Sequence, residues 1–134
     1  MNAFPLKIVT PDGMDFDGMV EELIVRTTTG DLGILAGHIN CVAPLGMGMA
    51  TILTEGKKRY GACMGGILSV MDGKATLVPT TFEWADEIDI SRAEASYEQA
   101  QKVLSRKDAS SAELQLAESR LRRALVRKSV ATRK

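Results

Sequence analysis

Hydrophobic and polar positions alternate along the first two thirds of the chain, and the repeat lengthens to three and four after that. Leu6–Val9 is a short alternating run that stops at Pro11-Asp12-Gly13. Met14–Gly18 repeats it before a longer segment, Met19–Thr28. Ile39–Val42, Met49–Leu53, Arg59–Cys63, Ile67–Met71 and Ala75–Val78 are further strand segments. Glu55-Gly56 and Asp72-Gly73 supply residues that tolerate positive φ in tight hairpins. Roughly eight to ten short strands before Ile88 predict an antiparallel β-sandwich. The strands follow one another without helices, which disfavours a parallel α/β sheet, and neither GxGxxG nor GK[ST] is present.

Two glycine-bearing segments stand out. Thr27–His38 has glycines at 30, 33 and 37 but lacks the lysine and following helix of a phosphate cradle. It is expected to be a turn and bulge segment with Leu32, Ile34 and Leu35 pointing into the core. Gly65-Gly66 is expected to let two backbones or two sheets approach closely.

Beyond the strands the pattern is helical. Ser91 with Glu94 has the spacing of a capping box and predicts the start of a helix. Ala93, Tyr97, Ala100, Val103 and Leu104 form a narrow apolar stripe, which ends at the polar turn Ser105–Asp108. Ser110 with Glu113 repeats the capping box, and Leu114, Ala117, Leu121, Ala124 and Leu125 form a second stripe. Two antiparallel helices of roughly equal length are predicted. Val103, Leu104, Leu114, Leu121 and Leu125 are the sizeable aliphatic residues on these faces. At about 1.5–3 kcal/mol each their gross burial is on the order of 10 kcal/mol, set against the ordering of some 40 residues. A hairpin this weak can open, and about 45 helical residues laid end to end reach roughly 65 Å. The tail is therefore expected to be a movable arm.

Composition sharpens the seam. All 12 glycines and all 4 prolines precede residue 80, and Ile88–Lys134 contains neither. The 17 basic and 17 acidic residues divide as 6 and 11 before Ile88 and 11 and 6 from it onward. A balanced total thus joins an acidic first part to a basic tail. Arg120, Arg123 and Arg127 share one side of the second helix, with Arg122 adjacent and Arg92 opening the first. That face either is simply solvated or meets phosphate or an acidic protein.

Catalytic chemistry finds little support. His38 is the single histidine, and neither Asn40 nor Cys41 makes it a catalytic pair. Cys41 and Cys63 lack metal-site spacing, so no metal and a reduced compartment are expected. Met1–Lys7 has no basic start followed by an apolar stretch, and no window approaches the roughly 18 apolar residues of a membrane span. A soluble, unprocessed chain without nucleic-acid partners is expected.

Three segments, Gly30–His38, Gly65–Val70 and the junction Ile88-Asp89-Ile90-Ser91-Arg92-Ala93, then stand in a familiar order and spacing. Through them the chain resembles the epsilon subunits of bacterial rotary (F-type) ATP synthases, called delta in mitochondria. Ala36 stands where that family often has proline, and Met64 where it often has serine. The resemblance implies a ten-stranded sandwich over 1–87 and a regulatory helical hairpin over 88–134. It implies a non-catalytic central-stalk subunit whose sandwich grips the gamma subunit and sits on the c-ring, passing on rotation driven by proton flow. The complex would lie at the bacterial plasma membrane with this subunit peripheral, on the cytoplasmic side.

The family's helical tail either extends along gamma into the alpha/beta catalytic hexamer, blocking hydrolysis, or folds down beside the sandwich. By the same resemblance the Asp31 loop faces the c-ring and His38 lies near gamma. The junction matches a pattern with which some bacterial members bind ATP as a regulatory ligand. Adenine would sit near Ile88, Asp89 and Ala93, Glu83 and Arg92 would complete the pocket, and Arg123 and Arg127 would meet the phosphates. Asp89 and Arg92 also suit a local helix-start pair. The alternative function is a free-standing coiled-coil-binding adaptor unrelated to ATP synthase.

Overall fold

A computed structural model describes residues 2–133. Ten strands precede two helices: β1 Phe4–Thr10, β2 Gly13–Val20, β3 Glu22–Thr27, β4 Gly30–Leu35, β5 Cys41–Pro44, β6 Met47–Thr54, β7 Lys57–Met64, β8 Ile67–Met71, β9 Lys74–Val78, β10 Thr81–Trp84, then α1 Ile90–Ser105 and α2 Ser111–Ala131. They form two five-stranded sheets, ordered β2-β1-β9-β8-β5 and β10-β7-β6-β3-β4. All pairings are antiparallel except that of β1 with β9, a departure from the purely antiparallel expectation.

The sandwich core is what period-two patterning demands. Leu6, Ile8, Leu23, Val25, Ile52, Leu68 and Leu77 are fully buried between the sheets, while their neighbours in sequence face outward. β7 breaks the alternation: its last four residues are all buried. Cys63 joins the core between the sheets, whereas Ala62 and Met64 lie on the opposite face beneath α2. Burial pushes the Cys63 thiol up to about 12, which keeps it protonated and unreactive.

Several expectations change on contact with the structure. The segment expected to run from Met19 to Thr28 is broken at Glu21, whose backbone N–H donates to the Leu53 carbonyl at 2.7 Å as the chain passes from one sheet to the other. Gly30–Leu35 is an edge strand rather than a turn and bulge, and Leu35 is 56% exposed because alternation places it opposite the buried Ile34. Glu55-Gly56 and Asp72-Gly73 do close the β6–β7 and β8–β9 hairpins, all four with positive φ.

The hairpin helices are capped, though not at Ser91. Asp89 is the N-cap of α1, its carboxylate accepting from the Arg92 backbone N–H at 3.1 Å, and Ser91 lies inside the helix. Ser110 and Glu113 form the second capping box. The helices are unequal, with 16 and 21 residues. Their contact is lined by buried Ala93, Ala100, Ala117 and Ala124, whereas Leu125 is 46% exposed and leaves the expected stripe. The last turn of α2, which the stripes did not single out, docks on the sandwich: Val130 and Ala131 are buried with Ala62, Met64, Ala85 and Ile88.

Gly66 has φ +99°, and a Cβ there would stand 2.1 Å from the Val78 carbonyl oxygen. Gly66→Ala is expected to destabilise the sandwich by about 3 kcal/mol or more in urea unfolding. Gly33→Ala, where a Cβ meets nothing within 4 Å, is expected to change stability by less than about 0.5 kcal/mol.

The Glu113 carboxyl is held below its ordinary value of 4.5, chiefly by the Ser110 backbone N–H and next by hydrogen bonding to the Arg106 guanidinium. A lowered folded value means that this contribution is present above about pH 4.5 and is lost as pH falls through the folded value. Circular dichroism is expected to show helix loss in that acid window, with a shallower pH dependence in Glu113→Gln.

Candidate functional site

Where β10 runs into α1, the sandwich and the hairpin enclose a cleft of about 530 Å³. One wall is β10, which presents Thr81, Phe82 and Glu83. The second is α1, whose first turns bring Asp89, Arg92, Ala93 and Ser96 to the cleft, and Arg127 of α2 forms the roof. Thr10 at the end of β1, Asp12 in the β1–β2 turn, Asp15 of β2 and Glu87 close the remaining side. That turn is fixed by the Asp12 N–H donating to Thr10 Oγ1 at 3.2 Å.

Glu83, Glu87, Asp89 and Arg127 are already engaged. Arg127 Nε donates to Glu83 Oε1 at 2.6 Å, joining residues 44 apart in sequence and tying α2 to β10. Glu87 Oε1 accepts from the Trp84 N–H at 3.0 Å, and Asp89 is committed to its capping bond. Arg92 makes no ion pair among the described residues. The cleft therefore holds two guanidinium groups among five carboxylates.

Five of the seven residues named for a nucleotide pocket, Glu83, Asp89, Arg92, Ala93 and Arg127, line this one cleft. The structure leaves two outside it. Ile88 is buried in the small cluster under the end of α2, with no face free toward the cleft. Arg123 lies on α2 one turn before Arg127 and does not reach the lining. Sequence reading missed Asp12, Asp15 and Glu87. The two aspartates come from the β1–β2 hairpin some 70 residues away, which only the strand order of the sheets brings here.

The two expected rotor residues sit apart from the cleft and from each other. Asp31 is exposed at the β3–β4 turn and pairs with Arg26 at 3.5 Å. His38 follows the far end of β4, its Nδ1 at 2.8 Å from the Ile39 carbonyl oxygen and 4.0 Å from Cys41 Sγ. Around it Leu35, Ile39 and Val42 are all more than half exposed. The outer face of the first sheet adds an apolar row in register across its strands. Pro44 pairs with Ile67 and Ile67 with Val78, and the row continues to the paired Val9 and Met14. No helix of the described residues is long and apolar enough to cross a membrane.

Residues 3–85 match the ATP synthase delta/epsilon chain β-sandwich domain, and residues 86–132 match the long α-helix domain of the same chain. The ATP synthase epsilon chain of Ruminococcus albus is 41% identical over the full length of both chains. The chain belongs to the ATP synthase delta/epsilon chain family. The Bacillus mycoides epsilon chain is 37% identical, again over the full length of both. As an epsilon-type chain it is a non-catalytic subunit of the rotary, F-type ATP synthase and serves ATP synthesis.

Solved structures agree on the fold. A chain of the Euglena gracilis mitochondrial ATP synthase, OSCP/F1/c-ring in rotational state 1, superposes with a TM-score of 0.84 at 24% identity, covering 95% of this chain and 80% of that one. A chain of the Tetrahymena thermophila mitochondrial ATP synthase central stalk and c-ring has a TM-score of 0.63 at 17% identity, covering 95% of both.

Proposed function

We propose that this epsilon-type chain works in the central stalk, its sandwich gripping the gamma subunit and resting on the c-ring. Its hairpin acts as a mobile brake on ATP hydrolysis that ATP holds in the folded-down position. On this reading the complex sits at the bacterial plasma membrane with the chain on its cytoplasmic side, and the extended arm enters the alpha/beta hexamer. No catalytic step is assigned to the chain itself.

One observation carries the nucleotide reading: Glu83, Asp89, Arg92, Ala93 and Arg127 converge on a single cleft roofed by the arm. ATP bound there touches both α1 and α2, so it favours the docked hairpin by whatever affinity it has for that state alone. The triphosphate competes with Glu83 for Arg127. This exchange keeps the affinity modest, as a ligand that reports on its own concentration requires.

The rotor reading is supported by the apolar row on the first sheet and by the exposed apolar residues around His38, surfaces suited to gamma. Asp31, at the opposite end of β4, suits the ring.

Calorimetric titration of the full chain with ATP is expected to show saturable binding at one site, weakened at least about tenfold in Arg92→Ala and in Arg127→Ala. Absence of heat in the parent chain at millimolar ATP would remove the sensing role. Separately, Ile67→Asp is expected to weaken capture by a purified gamma–c-ring assembly about tenfold or more while leaving the melting temperature nearly unchanged. Undiminished capture would move the gamma contact off this face.

A further inference from the structure

The acidic sandwich carries six basic residues, and three of them, Lys57, Lys58 and Arg59, are consecutive at the start of β7. The structure places the basic end of α2 against this run. A second pocket, of about 170 Å³ and separate from the cleft, is lined by Lys58, Arg59 and Tyr60, by Trp84 and Asp86, and by Arg133 beyond the last turn of α2.

None of the three cations makes an ion pair among the described residues. Two are positioned by aromatic rings instead. The Arg59 guanidinium lies 3.7 Å from the Trp84 ring centroid, and that of Arg133 lies 5.7 Å from Tyr60. Stacking fixes a guanidinium by its face and leaves its N–H edges free for a bidentate acceptor.

Docking the arm thus brings like charges together around a small hollow, with Asp86 the single carboxylate among the described residues of the lining. Repulsion there opposes docking unless something negative enters. We propose that this pocket is a phosphate site: an oxyanion bound between Arg133 and the Lys58-Arg59 pair bridges the arm to the sandwich and favours the docked hairpin. The chemistry is that of inorganic phosphate or the terminal phosphate of a nucleotide. The hollow admits a single phosphate group rather than a whole nucleoside.

Trp84, the only tryptophan, lines the pocket and reports on it. Its fluorescence is followed in the full chain during titration with inorganic phosphate, against chloride at matched ionic strength. A saturable change with phosphate is expected, with none from chloride. In Arg133→Gln the midpoint is expected to rise about tenfold or more, and Arg133→Lys is expected to recover part of the loss. A parallel titration with ATP in Arg92→Ala, which weakens the other cleft, separates the sources. Saturation there that weakens when Arg133→Gln is added assigns the site to nucleotide phosphate. Saturation by inorganic phosphate alone assigns it to the free ion. Equal responses to phosphate and chloride, or midpoints indifferent to Arg133 with both ligands, would overturn the assignment.

Discussion

The position of the whole arm rests on the last turn of α2, where Val130 and Ala131 are buried against Ala62, Met64, Ala85 and Ile88. Arg127, one turn earlier, is thereby delivered to Glu83, and Arg133, just beyond, to Tyr60. Both pockets between arm and sandwich exist only while this contact holds. Full burial of one valine is worth about 1.5–3 kcal/mol, and Val130 contributes on that scale to placing the arm.

The two halves of the chain are stabilised on different scales. The sandwich closes over a continuous core of fully buried leucines, isoleucines and valines, and the last four residues of β7 are buried on both faces because α2 covers the outer side there. The hairpin meets through four alanines, which let the helices approach closely while removing little apolar surface from water each. Glycine-free helices keep their own backbone bonds when they part, so opening the arm costs packing rather than secondary structure. A ligand at 100 times its dissociation constant adds about 2.7 kcal/mol to the state it binds. That is the same size as the burial of Val130, so under the proposed function a bound small molecule is a large enough effect to shift the arm.

Much of this was legible in the sequence. The strand runs, the two positive-φ hairpins, the close approach at Gly66, the Ser110–Glu113 cap and the Gly-free seam are local signals, and the structure shows each of them. What failed was decided by neighbours distant in sequence or by competition between adjacent residues. Asp89 takes the cap because its carboxylate accepts from the Arg92 N–H three residues on, which starts the helix at Ile90 and draws Ser91 into its first turn. Leu35 looked like core but belongs to an edge strand, where one side chain in two faces out. The acidic wall of the cleft was invisible because Asp12 and Asp15 reach it only through the pairing of β1 with β9 and β2. The docking turn was missed because Val130 and Ala131 lie past the apolar stripe that marks the helix–helix contact.

Charge completes the account. The sandwich is acidic and the arm basic, so long-range attraction draws them together. Yet among the described residues only Arg127–Glu83 joins them as an ion pair; Arg26–Asp31 lies within the sandwich, and Arg106 pairs within the hairpin. An arm neutralised residue by residue against the sandwich would have no cations left for a ligand or a second protein surface. Among the described residues Arg92, Arg120, Arg122, Arg123 and Arg133 make no ion pair in the docked form, so the same charges that draw the arm to the sandwich stay available to a ligand or a second surface. Attraction without commitment is what the proposed two-position arm requires, because each position has to be reachable from the other at a cost that binding can supply.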